Sequence, residues 1–394
     1  MKILIFNTLY YPNQIGGAEK SAQLLSEGLL SFGHEPVVVC TSDKDYVDYV
    51  NGVKVYYIDT NNIYWSYNAK EEKSYKKPLW HFIDSYNIFA KNKIEKIIKY
   101  EKPDVVHTNN LAGFSDIVWK IAKKYDIRVV HTLRDYYQLC PRSTMFKDGV
   151  NCATQCSVCK VYATPRKILS KYVDAVVGVS QFILNKHISF GYFKNAKTKI
   201  NIFNPVPTPK NTNKTTSSTI RLGLVGMLSK YKGTEFVLEK FSKMTTTNIE
   251  LHLYGKGVTK QYEIELKDKY LKNKNIKFQG FKPVEEIYNN IDILIISSLW
   301  HEPFPRTLIE SMSYKTLVLA TNRGGTPEMI TNGKNGYIFD PDIDGDFEEK
   351  LELVLQMYKN GKFEFDLSAF SFNHIVGKYI RMYNIGKRNG KDIK

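Results

Sequence analysis

What most constrains this chain is an alternation of apolar strands and amphipathic helices that runs twice, either side of one irregular stretch. In the first half, Lys2–Asn7 is an apolar strand, Ala18–Phe32 has helical spacing, and Glu35–Thr41 and Val53–Asp59 are strands again. The strand Pro103–His107, a helix near Gly113–Tyr125 and the strands Arg128–Leu133, Ala175–Ser180 and Lys199–Phe203 complete it. Residues 205–219 are polar, open on Pro-Val-Pro-Thr-Pro and lack periodicity, which reads as a linker. The pattern then restarts with strands at Ile220–Gly226, Ile249–Gly255, Ile276–Gly280, Asp292–Ser298, Thr316–Asn322 and Gly336–Asp340. Such alternation predicts parallel sheets covered by helices on both faces. The predicted fold class is α/β, with two doubly wound Rossmann-like domains at 1–204 and 220–371 facing across a cleft. The last helical stretch, 372–387, is expected to pack back on the first domain. Ligands of such sheets bind at the carboxyl ends of strands.

The chain has 394 residues, of which 43% are hydrophobic, so two sizeable cores can be buried. No run approaches the ~18 apolar residues of a membrane span. Met1-Lys-Ile-Leu-Ile-Phe starts a strand at once, without signal-peptide character, so the cytoplasm is the expected compartment. A net charge of +16, leaning toward the N-terminal half, favours anionic partners, although Lys, Asn, Ile and Tyr are also what an AT-rich genome supplies. No nucleic-acid-binding module is recognised. The Lys-rich segment Lys70–Lys99 reads as helix with a core-facing side and a solvated lysine face; peripheral contact with an anionic membrane is the alternative.

Cys40 ends the apolar run Val37–Cys40 and reads as a buried small residue. Cys140, Cys152, Cys156 and Cys159 cluster within 20 residues. In a cytoplasmic protein that density points to a metal clip, structural zinc, with reduced structural thiols and redox or disulfide chemistry as alternatives.

The chemistry concentrates in turns that follow strands. Glu302-Pro-Phe-Pro-Arg-Thr-Leu-Ile-Glu310 comes directly after the strand Asp292–Ser298. A helix predicted over Phe304–Met312 leaves Glu302 in the loop and puts Glu310 about two turns in. Arg306 and Thr307 open that helix, whose free N–H groups suit a phosphate. Lys232-Gly233 follows the first strand of the second half, where a lysine can meet a diphosphate as a point charge. Gly324-Gly325 in Arg323–Glu328, and Gly16-Gly17 after the first strand, permit close backbone approach to a ligand. Phe281, after Gly280, is a candidate for base or sugar selection. His131 and Asp135 near a strand end, with weaker candidates His107 and Asn109, suggest contact with a sugar hydroxyl. Each of these features has a bland reading, as turn chemistry, a solvated lysine or a structural histidine.

Taken in order, these motifs resemble glycosyltransferase family 4, whose members are retaining enzymes of the GT-B fold. The resemblance spans nearly the whole chain. It implies that Glu302 contacts donor-sugar hydroxyls, that Glu310 holds the ribose diol, that Lys232 meets the diphosphate, that Gly16 and Gly17 line its other side and that His131 lies near the sugar. It implies a nucleotide-sugar donor (UDP-, GDP- or ADP-linked), a glycan or lipid-linked acceptor, and no cofactor required for catalysis. Cys140-Pro141 resembles a segment found in relatives. Two departures stand out. Met227 occupies the place of a common diphosphate-binding arginine, leaving Arg306, Arg323 or Lys232 to compensate. Pro305 has no N–H to offer where glycine is frequent. The same architecture also suits a nucleotide-sugar epimerase or isomerase, or a non-catalytic partner in glycan assembly.

Overall fold

The computed structural model describes residues 1–206, 209, 212–244 and 248–385. They form two compact units: Met1–Thr144 with Thr154–Pro205 and the chain from Phe372, and Met145–Ala153 with Val206–Ser371. Positions 207, 208, 210 and 211 of the predicted linker, and 386 and 387 of the predicted last helix, lie outside the described residues.

The chain begins with β1 (Lys2–Phe6), α1 (Gly17–Ser31), β2 (Glu35–Thr41), β3 (Tyr46–Val50), β4 (Val53–Ile58), α2 (Lys76–Ser85), α3 (Lys91–Glu101), β5 (Val105–Thr108), α4 (Ile117–Lys124) and β6 (Arg128–Leu133). There follow β7 (Phe146–Lys147), β8 (Val150–Asn151), α5 (Ser157–Leu169), β9 (Ala175–Gly178), α6 (Gln181–Ser189) and β10 (Thr198–Asn201). The first unit's sheet runs β10-β9-β6-β5-β1-β2-β4-β3, parallel except for β3. Its central strands are buried because helices cover both faces; Ile3, Leu4, Ile5, Val105, Val106, Val129 and Val130 are fully buried. Sequence order reverses between β1 and β5, so that unit has its topological switch point there.

The second unit contains β11 (Ile220–Val225), α7 (Thr234–Ser242), β12 (Ile249–Tyr254), α8 (Lys260–Tyr270), β13 (Ile276–Gly280), α9 (Val284–Asn289), β14 (Ile293–Ile296), α10 (Arg306–Ser313), β15 (Leu317–Thr321), β16 (Gly336–Phe339) and α11 (Asp346–Asn360). Its sheet is wholly parallel, ordered β13-β12-β11-β14-β15-β16. The switch point lies between β11 and β14, which pair through Leu222–Ile293 and Leu224–Ile295.

Two local findings differ from the sequence reading. Strand β3 and the hairpin β7–β8 were not anticipated. Both hairpins turn on Asn-Gly or Asp-Gly pairs, Asn51-Gly52 and Asp148-Gly149, with positive φ throughout, a short-range signal available in the sequence. Residues 212–219 do not run free. Lys214 Nζ donates to the Ile291 carbonyl and Thr316 Oγ1, and the Thr215 N–H donates to the Asn289 carbonyl at 3.0 Å. Burial of Lys214 lowers its ammonium to about 8. Helix α12 (Phe372–Asn384) belongs to the first unit, where Ile375, Val376, Tyr379 and Tyr383 are buried.

The lysine-rich segment is two helices, α2 and α3, not one. The outward face of α2 is apolar: Tyr75 just before it, Leu79 and Phe82 are 70%, 56% and 67% exposed. Its inward face carries Trp80 and Asp84, both buried.

Candidate active site

At the switch point of the second unit the loops after β11 and β14 meet. After β11 the chain enters a short 3-10 turn, Lys230–Lys232, closed by Gly233. Gly233 has φ 70°, and a Cβ there would lie 1.9 Å from the Ser297 carbonyl oxygen. Only glycine lets the two loops approach this closely. The Ser297 hydroxyl donates to the Lys232 carbonyl at 2.8 Å, tying the loops together.

That approach places Lys232 against Glu302. Lys232 Nζ donates to Glu302 Oε1 at 2.6 Å, and the Ser298 hydroxyl donates to Oε2 at 2.6 Å. Both oxygens of the carboxylate are therefore held, and its side chain is only 12% exposed. The Lys232 ammonium also lies 5.7 Å from the centre of the Trp300 ring, within cation–π range. On the far side, Gly324 has φ 63°, and a Cβ there would meet the Glu302 carbonyl oxygen at 2.2 Å. The Gly325 N–H donates to that carbonyl at 2.8 Å. Lys232, Glu302, Gly324 and Gly325 are thus brought together. A cavity of about 30 Å³, room for one water, is lined by Gly226, Met227, Lys232, Ser298, Glu302 and Thr307.

Pro305 delays the helix, so α10 begins at Arg306 and Glu310 is little more than one turn in, not two. Glu310 Oε1 accepts from Arg306 Nη2 at 3.0 Å, an i,i+4 pair. Glu310 also lies near Tyr288, where burial first and the carboxylate second drive the phenol well above its usual range. Both arginines expected to replace the one missing at Met227 are paired with acids. Arg306 is paired with Glu310, and Arg323 Nη2 donates to Asp340 at 3.3 Å and to Asp342. Lys232 is the cation that meets Glu302 there. Phe281 is 79% exposed, but it follows β13 at the outer edge of the sheet, two strands from β11.

Asn151 is a residue the sequence reading missed. Its side-chain amide donates to the Leu299 carbonyl and accepts from the His301 N–H, each at 2.8 Å. From the β7–β8 hairpin, which groups with this unit, it braces the loop leading into Glu302. The Asp148-Gly149 turn would have located the hairpin, but nothing local marks its partner 148 residues on.

In the first unit, Gly16 and Gly17 begin α1, and the Gly16 N–H donates to Glu19 Oε2 at 2.9 Å. That amide is capped by the helix's own acid. His131 corrects the sequence reading. It lies inside β6, is 1% exposed, and packs edge-on to Trp119 and stacked on Phe193. Its Nδ1 meets Thr108 Oγ1 at 2.9 Å, and burial drives its pKa well below the usual range. Enclosed and neutral, it has no route to a sugar. His107 is likewise fully buried, bonded to Thr132 and Tyr383. The residue that emerges just past β6 is Arg134, whose Nε donates to Asn109 Oδ1 at 2.8 Å and whose Nη1 donates to Asn204 Oδ1.

The zinc expectation is also corrected. Among the described residues no three His, Cys, Asp or Glu side chains are disposed to hold a metal ion. Cys140, Cys156 and Cys159 interact, and burial, then Cys140, push the Cys159 thiol upward. Cys152 belongs to the segment grouped with the other unit, and none of the five cysteines forms a disulfide.

Comparison with known proteins gives the family and the fold. Residues 15–202 match the model for Glycosyltransferase Family 4, and residues 209–363 match that for Glycosyl transferases group 1. An uncharacterised 42.6 kDa protein in the cps region of Klebsiella pneumoniae is 34% identical over 389 residues, covering 97% of this chain and all of its own. Among solved structures, Anabaena HepE in complex with UDP and glucose superimposes with a TM-score of 0.70 at 17% identity, over 97% of this chain and 99% of its own. A sucrose-phosphate synthase from Thermosynechococcus elongatus gives 0.71 at 15% identity, over 97% and 98%. The chain belongs to the family 4 glycosyltransferases, and its two Rossmann-like units are those of the GT-B fold.

Proposed function

We propose that the enzyme moves a sugar, with retention of anomeric configuration, from a nucleotide-sugar to a lipid-linked glycan acceptor during cell-surface polysaccharide or lipopolysaccharide assembly. The observation that carries the reading is the Lys232–Glu302 pair at the switch point of the second unit. The HepE complex with UDP-glucose and the relative in a cps region support the donor and pathway class.

The physical problem is departure of a nucleoside diphosphate from an anomeric carbon. Negative charge grows on the leaving phosphate while the sugar becomes oxocarbenium-like. Lys232 neutralises part of that charge, and the first N–H groups of α10 supply more without reorganisation. Glu302 receives sugar hydroxyls, and Glu310 the ribose diol. As donor phosphate engages Lys232, the Glu302 carboxylate is freed from it to accept hydrogen bonds from sugar hydroxyls. Attack occurs from the face the phosphate leaves, and the departing phosphate takes the acceptor's proton, so no dedicated nucleophile is required. The first unit receives the acceptor, and the enzyme works at the cytoplasmic face of a membrane.

The test is incubation of the purified protein with UDP-, GDP- and ADP-sugars, with and without lipid-linked acceptor. The reading expects a glycosylated acceptor and nucleoside diphosphate from one donor. A new nucleotide-sugar formed without acceptor would assign an epimerase or isomerase instead.

A further inference from the structure

Two neighbouring helices of the first unit present apolar side chains to solvent. On the α2 side, Tyr75, Leu79 and Phe82 repeat at i, i+4 and i+7 and are 56–70% exposed. On α5, Val158, Val161 and Ile168 repeat at i, i+3 and i+10 and are 60%, 64% and 57% exposed. Each set occupies one face of its helix. The helices pack side by side: the Tyr162 hydroxyl donates to the Pro78 carbonyl at 3.2 Å, and the Tyr162 and His81 rings lie 5.8 Å apart. Leu79 and Val161 are the immediate chain neighbours of that contact. Both helices also have deeply buried inner faces, tied by the ion pair of Arg166 on α5 with Asp84 on α2 at 3.3 Å. The apolar residues outside are therefore not a second core surface turned the wrong way; the inward faces are already satisfied.

Large exposed apolar patches on a soluble unit mark contact surfaces. The charge around this one selects the partner. Lys73 and Lys77 stand exposed beside the α2 stripe, and Lys160, Lys167 and Lys171 accompany α5, which carries no acid. Opposing them are Glu71 and Glu72, the latter already paired with Lys76 at 2.7 Å. Apolar residues rimmed by lysine fit an anionic lipid surface: rings and branched chains enter the headgroup boundary while ammonium groups stay at the phosphates.

We infer that the α2–α5 face is the docking surface by which this protein rests on an anionic bilayer, with Leu79, Phe82 and Val161 inserted. The inference deepens the proposal of a lipid-linked acceptor and rests on it only for its purpose. Surface binding itself needs no turnover to be seen.

The experiment is co-flotation of the full chain with vesicles of phosphatidylglycerol and phosphatidylcholine, against phosphatidylcholine alone. Wild type should float with the anionic vesicles and sediment with the neutral ones. Raising salt from 0.1 to 1 M shortens the screening length from about 10 to 3 Å and should release part of it. The triple variant Leu79→Ser, Phe82→Ser, Val161→Ser should lose at least about tenfold in vesicle affinity. All three positions are exposed, so its melting temperature and its binding of a donor sugar should match wild type. A second variant, Lys77→Glu with Lys160→Glu, should lose the preference for anionic lipid while keeping the fold. Equal flotation of wild type and triple variant, or none by either, overturns the proposal. So does a wild-type dimer in sedimentation velocity that the triple substitution dissolves, which would assign the face to a second copy. Flotation without sugar transfer from any donor would leave the docking surface standing and remove the glycosyltransferase reading; transfer without flotation would do the reverse.

Discussion

The two units carry the same kind of sheet, yet the carboxyl ends of their strands were not equally legible. In the second unit, Lys232 and Glu302 lie past the last residues of β11 and β14, at the switch point, and meet at 2.6 Å. In the first, the residue chosen from sequence, His131, lies within β6 and is buried against Trp119 and Phe193. A residue inside a doubly covered strand belongs to the core whatever its chemistry. A residue two or three positions further on is exposed to ligand. The difference is a matter of register, and it identifies Arg134, not His131, as the side chain β6 delivers to its edge.

The sharpest way to break this comparison is to remove one residue from each side. Glu302→Gln should lower sugar transfer by about a hundredfold to a thousandfold while leaving the melting temperature close to wild type. His131→Leu should do the opposite. It removes one of the three partners of the Thr108 hydroxyl, which keeps the Val130 carbonyl and the Trp119 indole N–H, and it leaves a misfit beside Trp119, so stability should fall by about 1–3 kcal/mol with kcat little changed. If His131→Leu abolished transfer in a folded protein, the assignment of that residue to the core would be wrong. Steady-state kinetics and thermal melts on the same samples decide it.

Lys232→Met comes next in size. It removes the cation that faces Glu302 and should weaken donor binding by ten- to a hundredfold, about 1.4–2.8 kcal/mol by calorimetry. Equal affinity would mean that the diphosphate is neutralised elsewhere. Asn151→Ala should reduce kcat by about tenfold through displacement of the loop before Glu302. It should also speed hydrogen exchange at the His301 amide, whose acceptor is the Asn151 carbonyl oxygen.

Much of the architecture could be read from the chain because fully buried parallel strands such as Ile3–Phe6 and Ile293–Ile296 are near-continuous apolar runs with few other uses. The motifs around 232, 302 and 324 were legible for a related reason. Glycines that bring loops together are constrained in identity, and the acid and lysine lie beside them. Three things were hidden. The hairpin bearing Asn151 is too short to show periodicity, and its partner lies far along the chain. The depth of His131 depends on α4 and on Phe193, neither of which marks the strand itself. The four cysteines looked like a ligand set because spacing carries no information about which unit each residue joins. The outward face of α2 was concealed by its lysines, which rim an apolar stripe and do not form the exposed face alone.

The smallest expected effect probes the first unit's interior. Asp116 is 1% exposed, with Oδ2 lacking a partner among the described residues. Burial is the main cause that pushes its carboxyl up to about 7, against Arg166, which lowers it. Because the folded pKa exceeds the unfolded one, this group's stabilising contribution is complete below about pH 4 and is lost as pH rises through about 7. Asp116→Asn should therefore raise the melting temperature at pH 8 by roughly 2–4 °C per kcal/mol recovered, and bring little or no gain at pH 4. An equal shift at both pH values would contradict the assignment.

The most direct test of the central claim is a calorimetric titration of UDP-, GDP- and ADP-sugars into wild type and into Glu302→Gln and Lys232→Met. The account predicts that one donor class binds wild type and that both substitutions weaken it, with folding intact. Binding unchanged in both variants would contradict the placement of the donor at the β11–β14 switch point.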